Sequence, residues 1–368
     1  MSVIAPPPPS TPKQPSDPEA LIEEARRQTR RRRRRNAAAA TLLLGLAALG
    51  IAAHGRGGSP TSETSTHRPA KLHVGTAPSV MHNGPLTVIK QSVGHGGVYT
   101  VGRSGLGTML LRCRGAHSAC LELEYIAWSP DGTRIALGVT SYGTPSSYDG
   151  LHVVDVATRR DIQLTGSRGR PGLWNDPAWS RDGQWLAYDS DRLGEIALAS
   201  ADGSQHRTLQ TGYPAWLRYP TWSPDGTRIA FQTSPLGGCG TSQVSPCAIY
   251  VVHLDGTHLR LLVRHGASPA WSPSGPVIAY QARCGIRLVT PTGTDATPNE
   301  NASCRHIGVA GQPVWSPDAR KIAVALAVPG PRRGLYLMNA DGSDLHRLSR
   351  AAGHDDTGLG RPAWKPRQ

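Results

Sequence analysis

From residue 85 onward, apolar residues fall in short runs, many alternating with polar ones, and clusters of Gly, Pro, Asp and Ser separate them. Such runs predict short β-strands joined by turns. One pattern recurs six times: YIAWSPDGTRIAL at 125–137, PAWSRDGQWLAY at 177–188, PTWSPDGTRIAF at 220–231, PAWSPSGPVIAY at 269–280, PVWSPDARKIAV at 313–324 and PAWKP at 362–366. Its tryptophans, Trp128, Trp179, Trp222, Trp271, Trp315 and Trp364, stand 43 to 51 residues apart. A period of this size with several short strands per unit predicts the blades of a β-propeller.

The unit has a physical grammar. A strand runs into each Trp and ends in a Ser-Pro-Asp-Gly turn, where Pro presets φ and Gly accepts the positive φ of a tight turn. A second strand follows at once, as in Arg134-Ile135-Ala136-Leu137. Third strands are predicted at LHVVDV, EIALAS, AIYVVHL, GIRLVT and GLYLMNA. Several end in Asp-Gly, at 202–203, 255–256 and 341–342, which is a hairpin signal. Fourth strands run through HRTLQT, HLRLLV and LHRLSR. The tryptophans are expected to pack between neighbouring blades.

The sixth copy stops at PAWKPRQ, while three strand-like segments, 85–90, 97–105 and 108–113, precede the first Trp. Joined in one blade, the last strand and the first three close the ring and remove its open edge. The predicted fold is therefore all-β, a six-bladed propeller of four-stranded antiparallel blades over residues 84–368.

Trp-Ser-Pro-Asp-Gly at 128–132 and 222–226, with degenerate copies at 179–183, 271–275 and 315–319, resembles the WD40-like PD40 repeat of the TolB-type propeller family. The loop Asp191-Arg192-Leu193-Gly194 and the hairpin Ala340-Asp341-Gly342-Ser343 also resemble that family's, as does the terminal PAWKPRQ. The resemblance implies a partner-binding propeller whose channel admits peptides. The α/β domain that precedes the propeller in TolB has no counterpart in this sequence.

Composition fits the strand-and-turn reading. Gly (42) and Pro (31) are abundant and charged residues make up 18%, against what a helical bundle would need. The net charge of +14 has one concentrated block, Arg30 to Arg35. Directly after it, residues 37–53 read AAAATLLLGLAALGIAA with no charge. As a helix that run spans about 25 Å, near the lower limit for a bilayer core. The expectation is a cytoplasmic Pro- and Arg-rich tail (1–35), a single-pass signal anchor (36–54) with the N-terminus inside, a Ser/Thr/Pro/Gly linker (55–83) and an exported propeller. A cleaved signal peptide and a basic nucleic-acid arm are the competing readings; the propeller itself carries no concentrated basic face for nucleic acid.

All six Cys follow the anchor, in keeping with an oxidising compartment. Six Cys allow 15 connectivities. The blade map favours neighbour pairing, Cys113–Cys120, Cys239–Cys247 and Cys284–Cys304. No C-x-x-C knuckle points to zinc.

Catalytic signatures are absent: no G-x-S-x-G, P-loop pattern or H-E-x-x-H occurs. The 14 His form no pair with ligand spacing. The expectation is a protein that is not an enzyme and carries no cofactor. The candidate binding positions lie three residues before each Trp, at Tyr125, Asp176, Tyr219, Ser268, Gln312 and Arg361, with Glu124 and Asn175 one position earlier. They predict a polar ring at a channel mouth, with Tyr and Arg suited to recognition. Glu124, Asn175 and Asp176 offer the oxygens for a cation such as Ca²⁺, the basis of an alternative channel enzyme of lactonase type. A structural or sensory link across the membrane is a second alternative. The expected partner is an envelope protein, a peptide or an anionic wall polymer.

Overall fold

The computed structural model describes residues 82–90, 97–102, 104–112, 123–139, 149–165, 176–190, 192–234, 247–283, 285–297, 312–326, 334–350 and 362–367. The expected tail, anchor and nearly all of the linker lie outside them. Among the described residues no helix is long and apolar enough to cross a membrane.

Six antiparallel sheets follow one another along the chain. The first blade holds β4 (Leu123–Trp128), β5 (Arg134–Val139), β6 (Gly150–Asp155) and β7 (Asp161–Gln163). The second holds β8 (Ala178–Trp179), β9 (Trp185–Asp189), β10 (Glu195–Ser200) and β11 (His206–Gln210). The third holds β12 (Trp216–Trp222), β13 (Arg228–Ser234), β14 (Ala248–His253) and β15 (Arg260–Val263). The fourth holds β16 (Ala267–Trp271), β17 (Ile278–Gln281) and β18 (Ile286–Val289). Its fourth strand shrinks to one bridge, Val289 to Asp295. The fifth holds β19 (Pro313–Trp315), β20 (Lys321–Leu326), β21 (Gly334–Asn339) and β22 (His346–Arg350).

The sixth blade is the closure. β23 (Ala363–Arg367) pairs with β1 (His82–Lys90), which continues into β2 (Gly97–Gly102) and β3 (Gly105–Arg112). Trp364 stands opposite Leu86 in register. The inner strands then neighbour one another in a closed circuit: β4, β8, β12, β16, β19, β23 and back to β4.

The core lies between blades. Ile89 and Val98 of the sixth blade pack with Ile126, Trp128, Ile135 and Leu137 of the first. Leu151 and Val153 of the first blade pack with Leu186 and Tyr188 of the second. The third and fourth blades join through Ile249, Val251, Trp271 and Ile278, and the fourth and fifth through Ile286, Leu288, Trp315 and Ile322. Leu335 and Leu337 complete the circuit against Leu86 and Val88. Each sheet is thus apolar on both faces, which explains runs such as Ile229-Ala230-Phe231 that are buried throughout.

Four of the six Trp have a polar task as well. The indole Nε1 of Trp179 donates to the carbonyl of Ala127 at 3.0 Å, Trp222 to Ala178 at 3.0 Å and Trp315 to Ala270 at 2.9 Å. In each case the acceptor is the residue just before the previous blade's Trp. Trp128 donates to Thr87 Oγ1 at 2.9 Å, and that hydroxyl donates to the Ala363 carbonyl at 2.8 Å. Trp364 differs: its buried Nε1 has no acceptor among the described residues. Repeat cations cover the rings, Arg134 over Trp179 at 4.9 Å and Arg228 over Trp271 at 5.2 Å.

The Ser-Pro-Asp-Gly turns are fully bonded. Ser129 Oγ donates to Asp131 Oδ1 and accepts from the Arg134 N–H, and the Thr133 N–H also donates to Asp131. Burial opposes ionisation of Asp131, but these hydrogen bonds outweigh it and hold the carboxyl below its ordinary range. Gly132 has φ +68°, and a Cβ there would meet the Pro366 carbonyl at 2.5 Å. In the fifth blade Ala319 takes the same left-handed position, at φ +58°.

Replacing Trp222 by Phe removes an indole N–H that has an acceptor, whereas Trp364→Phe removes one that has none. Trp222→Phe is therefore expected to lose about 1 kcal/mol more stability than Trp364→Phe. Parallel urea melts check this; equal losses would show that the indole N–H contributes nothing.

Candidate functional site

The inner strands bring equivalent residues together around the axis, and its two ends differ. The expected ring residues occupy one end. Tyr125 and Tyr219, from the first and third blades, meet edge to face with ring centroids 6.3 Å apart. Asp176 of the second blade is 1% exposed, Ser268 is 4% exposed and Gln312 is partly buried. The position therefore closes the channel more than it lines an open mouth. Glu124 is the extra residue of a bulge in β4, and its side chain lies outside the described residues, as do Asn175 and Arg361.

The backbone is strained at two of these positions. β12 is irregular between Arg218 and Thr221, and β16 between Ala267 and Ala270. Within these bulges Tyr219 (φ +53°) and Ser268 (φ +49°) adopt left-handed conformations. Both precede a proline, where neither conformation is favoured. Each is held by a side chain from the second strand of the preceding blade. Asp189 Oδ1 accepts from the Tyr219 N–H at 3.1 Å, and Gln232 Oε1 accepts from the Ser268 N–H at 2.8 Å. Asp189 and Gln232 are clamps that sequence reading missed. The signal was present: a polar residue directly after the buried runs 185–188 and 229–231.

Asp189 also faces charge. Arg218 Nη1 lies 3.6 Å from its Oδ2. Burial, reinforced by the nearby Asp176 carboxylate, pushes the Asp189 carboxyl well above its ordinary range, against the pull of Arg218 and the Tyr219 N–H.

The other end is open. A cavity of about 250 Å³ sits where all six inner strands reach their Trp. Trp128 stands three residues beyond Tyr125, about 10 Å along the strand at about 3.3 Å per residue. The rim repeats one position, two after each Trp: Pro130, Arg181, Pro224, Pro273, Pro317 and Pro366. Among the described residues, none of the expected mouth residues lines this basin. Arg181 is the third residue missed, and its signal was the one Arg in place of Pro among the copies. Among the described residues no group of three His, Cys, Asp or Glu is placed to hold a metal ion.

Three likenesses to known proteins bear on this geometry. The family model of the PD40 TolB beta-propeller domain matches residues 124–289, in agreement with the resemblance carried by the Trp-Ser-Pro-Asp-Gly repeats. TolB from Acinetobacter baumannii superposes with a TM-score of 0.57 at 18% identity, over 77% of this chain and 66% of that one. The chain thus spans about two thirds of that TolB. A chain from the crystal structure of a nidogen/laminin complex superposes with a TM-score of 0.54 at 12% identity, over 76% of this chain and 98% of that one. At these identities the two structures speak to the fold alone.

Asp189 supplies a test of the buried end. Its folded-state pKa is raised, so the folded protein holds this proton more tightly than the unfolded chain. The protonated site favours folding at acid pH, and that advantage fades as pH rises above the ordinary carboxylate range. Asp189→Asn cannot ionise and keeps an oxygen for the Tyr219 N–H. Its Tm relative to the parent should become more favourable from pH 4 to pH 7.5; a pH-independent difference would refute the raised pKa.

Proposed function

We propose that this protein is a membrane-anchored, extracytoplasmic propeller that binds an envelope protein or peptide without catalysis. The observation that carries the reading is the closed TolB-type ring, whose axis gathers unlike side chains from every blade. Tyr125, Asp176, Arg218 and Tyr219 meet at one end, and tryptophan and proline wall the other. Convergent aromatic and Arg groups on a rigid scaffold suit recognition.

The remaining parts of the reading come from sequence. Six Arg before 17 uncharged apolar residues support an anchor over 36–54 with the N-terminus in the cytoplasm. The absence of Cys before Cys113 supports export of the propeller. Cys247, buried at the start of β14 and disulfide-bonded, supports a Cys239–Cys247 clamp. The Cys113–Cys120 and Cys284–Cys304 pairings complete the proposal, and all Cys but Cys247 lie outside the described residues.

The test is crosslinking in native cells through a C-terminal tag, followed by purification and mass spectrometry. The expected result is a reproducible envelope protein linked to the propeller. Retained carbohydrate without a protein partner would replace this reading with wall-polymer binding. A bound cation without one would turn it towards the channel enzyme.

A further inference from the structure

The Trp-lined basin has an unusual chemical inventory. Five of its six rim positions are proline, which presents carbon and no N–H. Two serines line the basin: the Ser223 hydroxyl is committed to Asp225 of its own turn, and Ser272 belongs to the copy that carries Ser274 in place of that aspartate. The Thr221 hydroxyl accepts from the Trp271 N–H. Among the described residues lining the basin, Arg181 is the only charged side chain. It projects from the second blade and donates through Nη1 to the carbonyl of Pro273, two blades away. Among the described residues no carboxylate pairs with it.

A guanidinium has five N–H donors in a planar fork, and a single carbonyl occupies only part of it. Set in an apolar basin, such a group favours a carboxylate, which accepts two parallel bonds and supplies the missing charge. The walls decide what carries that carboxylate. A sugar polymer needs many hydrogen-bond partners, and pyrrolidine and indole walls give almost none. An extended peptide with proline or small apolar residues fits those walls. At about 250 Å³ the basin lies just below the usual size of a small-molecule site, about 300 Å³ and upward, which suits a short chain segment.

We propose that the Trp–Pro basin binds a carboxylate carried by an extended, apolar peptide segment, with Arg181 as its anchor. The proposal rests on the binding-module reading and adds the end of the channel and the chemistry it selects.

The test titrates the full chain with three probes, followed by tryptophan fluorescence and calorimetry. They are acetyl-Ala-Pro-Ala-Pro with a free terminal carboxylate, the same peptide as its amide, and acetyl-Ala-Pro-Glu-Pro amide. At least one carboxylate peptide should bind about tenfold or more tighter than the neutral amide, the scale of a charge-assisted pair. Whichever does so identifies the source, chain terminus or side chain. Arg181→Pro restores the residue that the other five repeats carry, so the turn and the Tm should hold while the preference disappears. Arg181→Gln gives the same reading should the Pro variant melt early. Equal binding of all three probes, no binding of any, or an unchanged preference without Arg181 would overturn the proposal. None of these results depends on finding a cellular partner, so this failure is separable from failure of the crosslinking test.

Discussion

The structure depends on hydrogen bonds from Trp indoles to the inner strand of the blade before, direct for Trp179, Trp222 and Trp315 and relayed through Thr87 for Trp128. An inner strand has a sheet partner on one edge only, so carbonyls on its other edge would be buried without a donor, a costly state. Trp meets that need because one side chain carries both a large apolar surface and an N–H. The acceptor residues are Ala127, Ala178, Ala270 and, through Thr87, Ala363. Their small side chains let the next indole come close. The closing blade reaches the same end by a different route. Its second strand comes from the N-terminal side, and Thr87 on that strand relays the bond between Trp128 and Ala363.

Fixing the Trp end of every inner strand fixes what lies at either side of it. In the first five blades the strand ends at its Trp and the chain turns, and a proline two positions after five of the six Trp puts pyrrolidine rings around the axis. Before each Trp the strands are free to differ, and they do. Tyr219 and Ser268 bend into left-handed bulges, each pinned by a side chain from the blade before. Asp189 does this while sharing a buried neighbourhood with Asp176 and Arg218. One end of the channel is therefore packed and electrostatically loaded, and the other is hollow and nearly free of donors.

Most of the fold was legible because its determinants are local. The Trp-Ser-Pro-Asp-Gly turn, the apolar quartet after it and the Asp-Gly hairpins each act within a few residues. Even ring closure followed from counting strands at the two ends of the repeat array. The fourth strand of the fourth blade was less legible: after Val289 the chain turns through Pro291 and Gly293, and only Asp295 returns to bridge. The state of the channel was not legible at all. The index of the ring residues was readable, but the left-handed bulges at Tyr219 and Ser268 are held by Asp189 and Gln232, 30 and 36 positions earlier in a neighbouring blade. No local pattern encodes that reach.

A six-fold repeat surrounds its axis with like groups, and a ring of like groups cannot orient a ligand. Selectivity has to come from positions where the repeat is broken. Some breaks weaken the scaffold: Ala319 sits in a left-handed conformation that favours Gly, and Ser274 stands where four other copies have the Asp that accepts from the turn. Arg181 is a different kind of break. Its turn keeps the bond from Gly183 N–H to the Ser180 carbonyl and the bond from Ser180 Oγ to Asp182. The turn loses only the preset φ of proline, and the new side chain leaves the turn to reach the Pro273 carbonyl two blades away. A substitution that local folding tolerates, and that sets a cation in an otherwise apolar basin, is the form a recognition residue takes on a repeat scaffold.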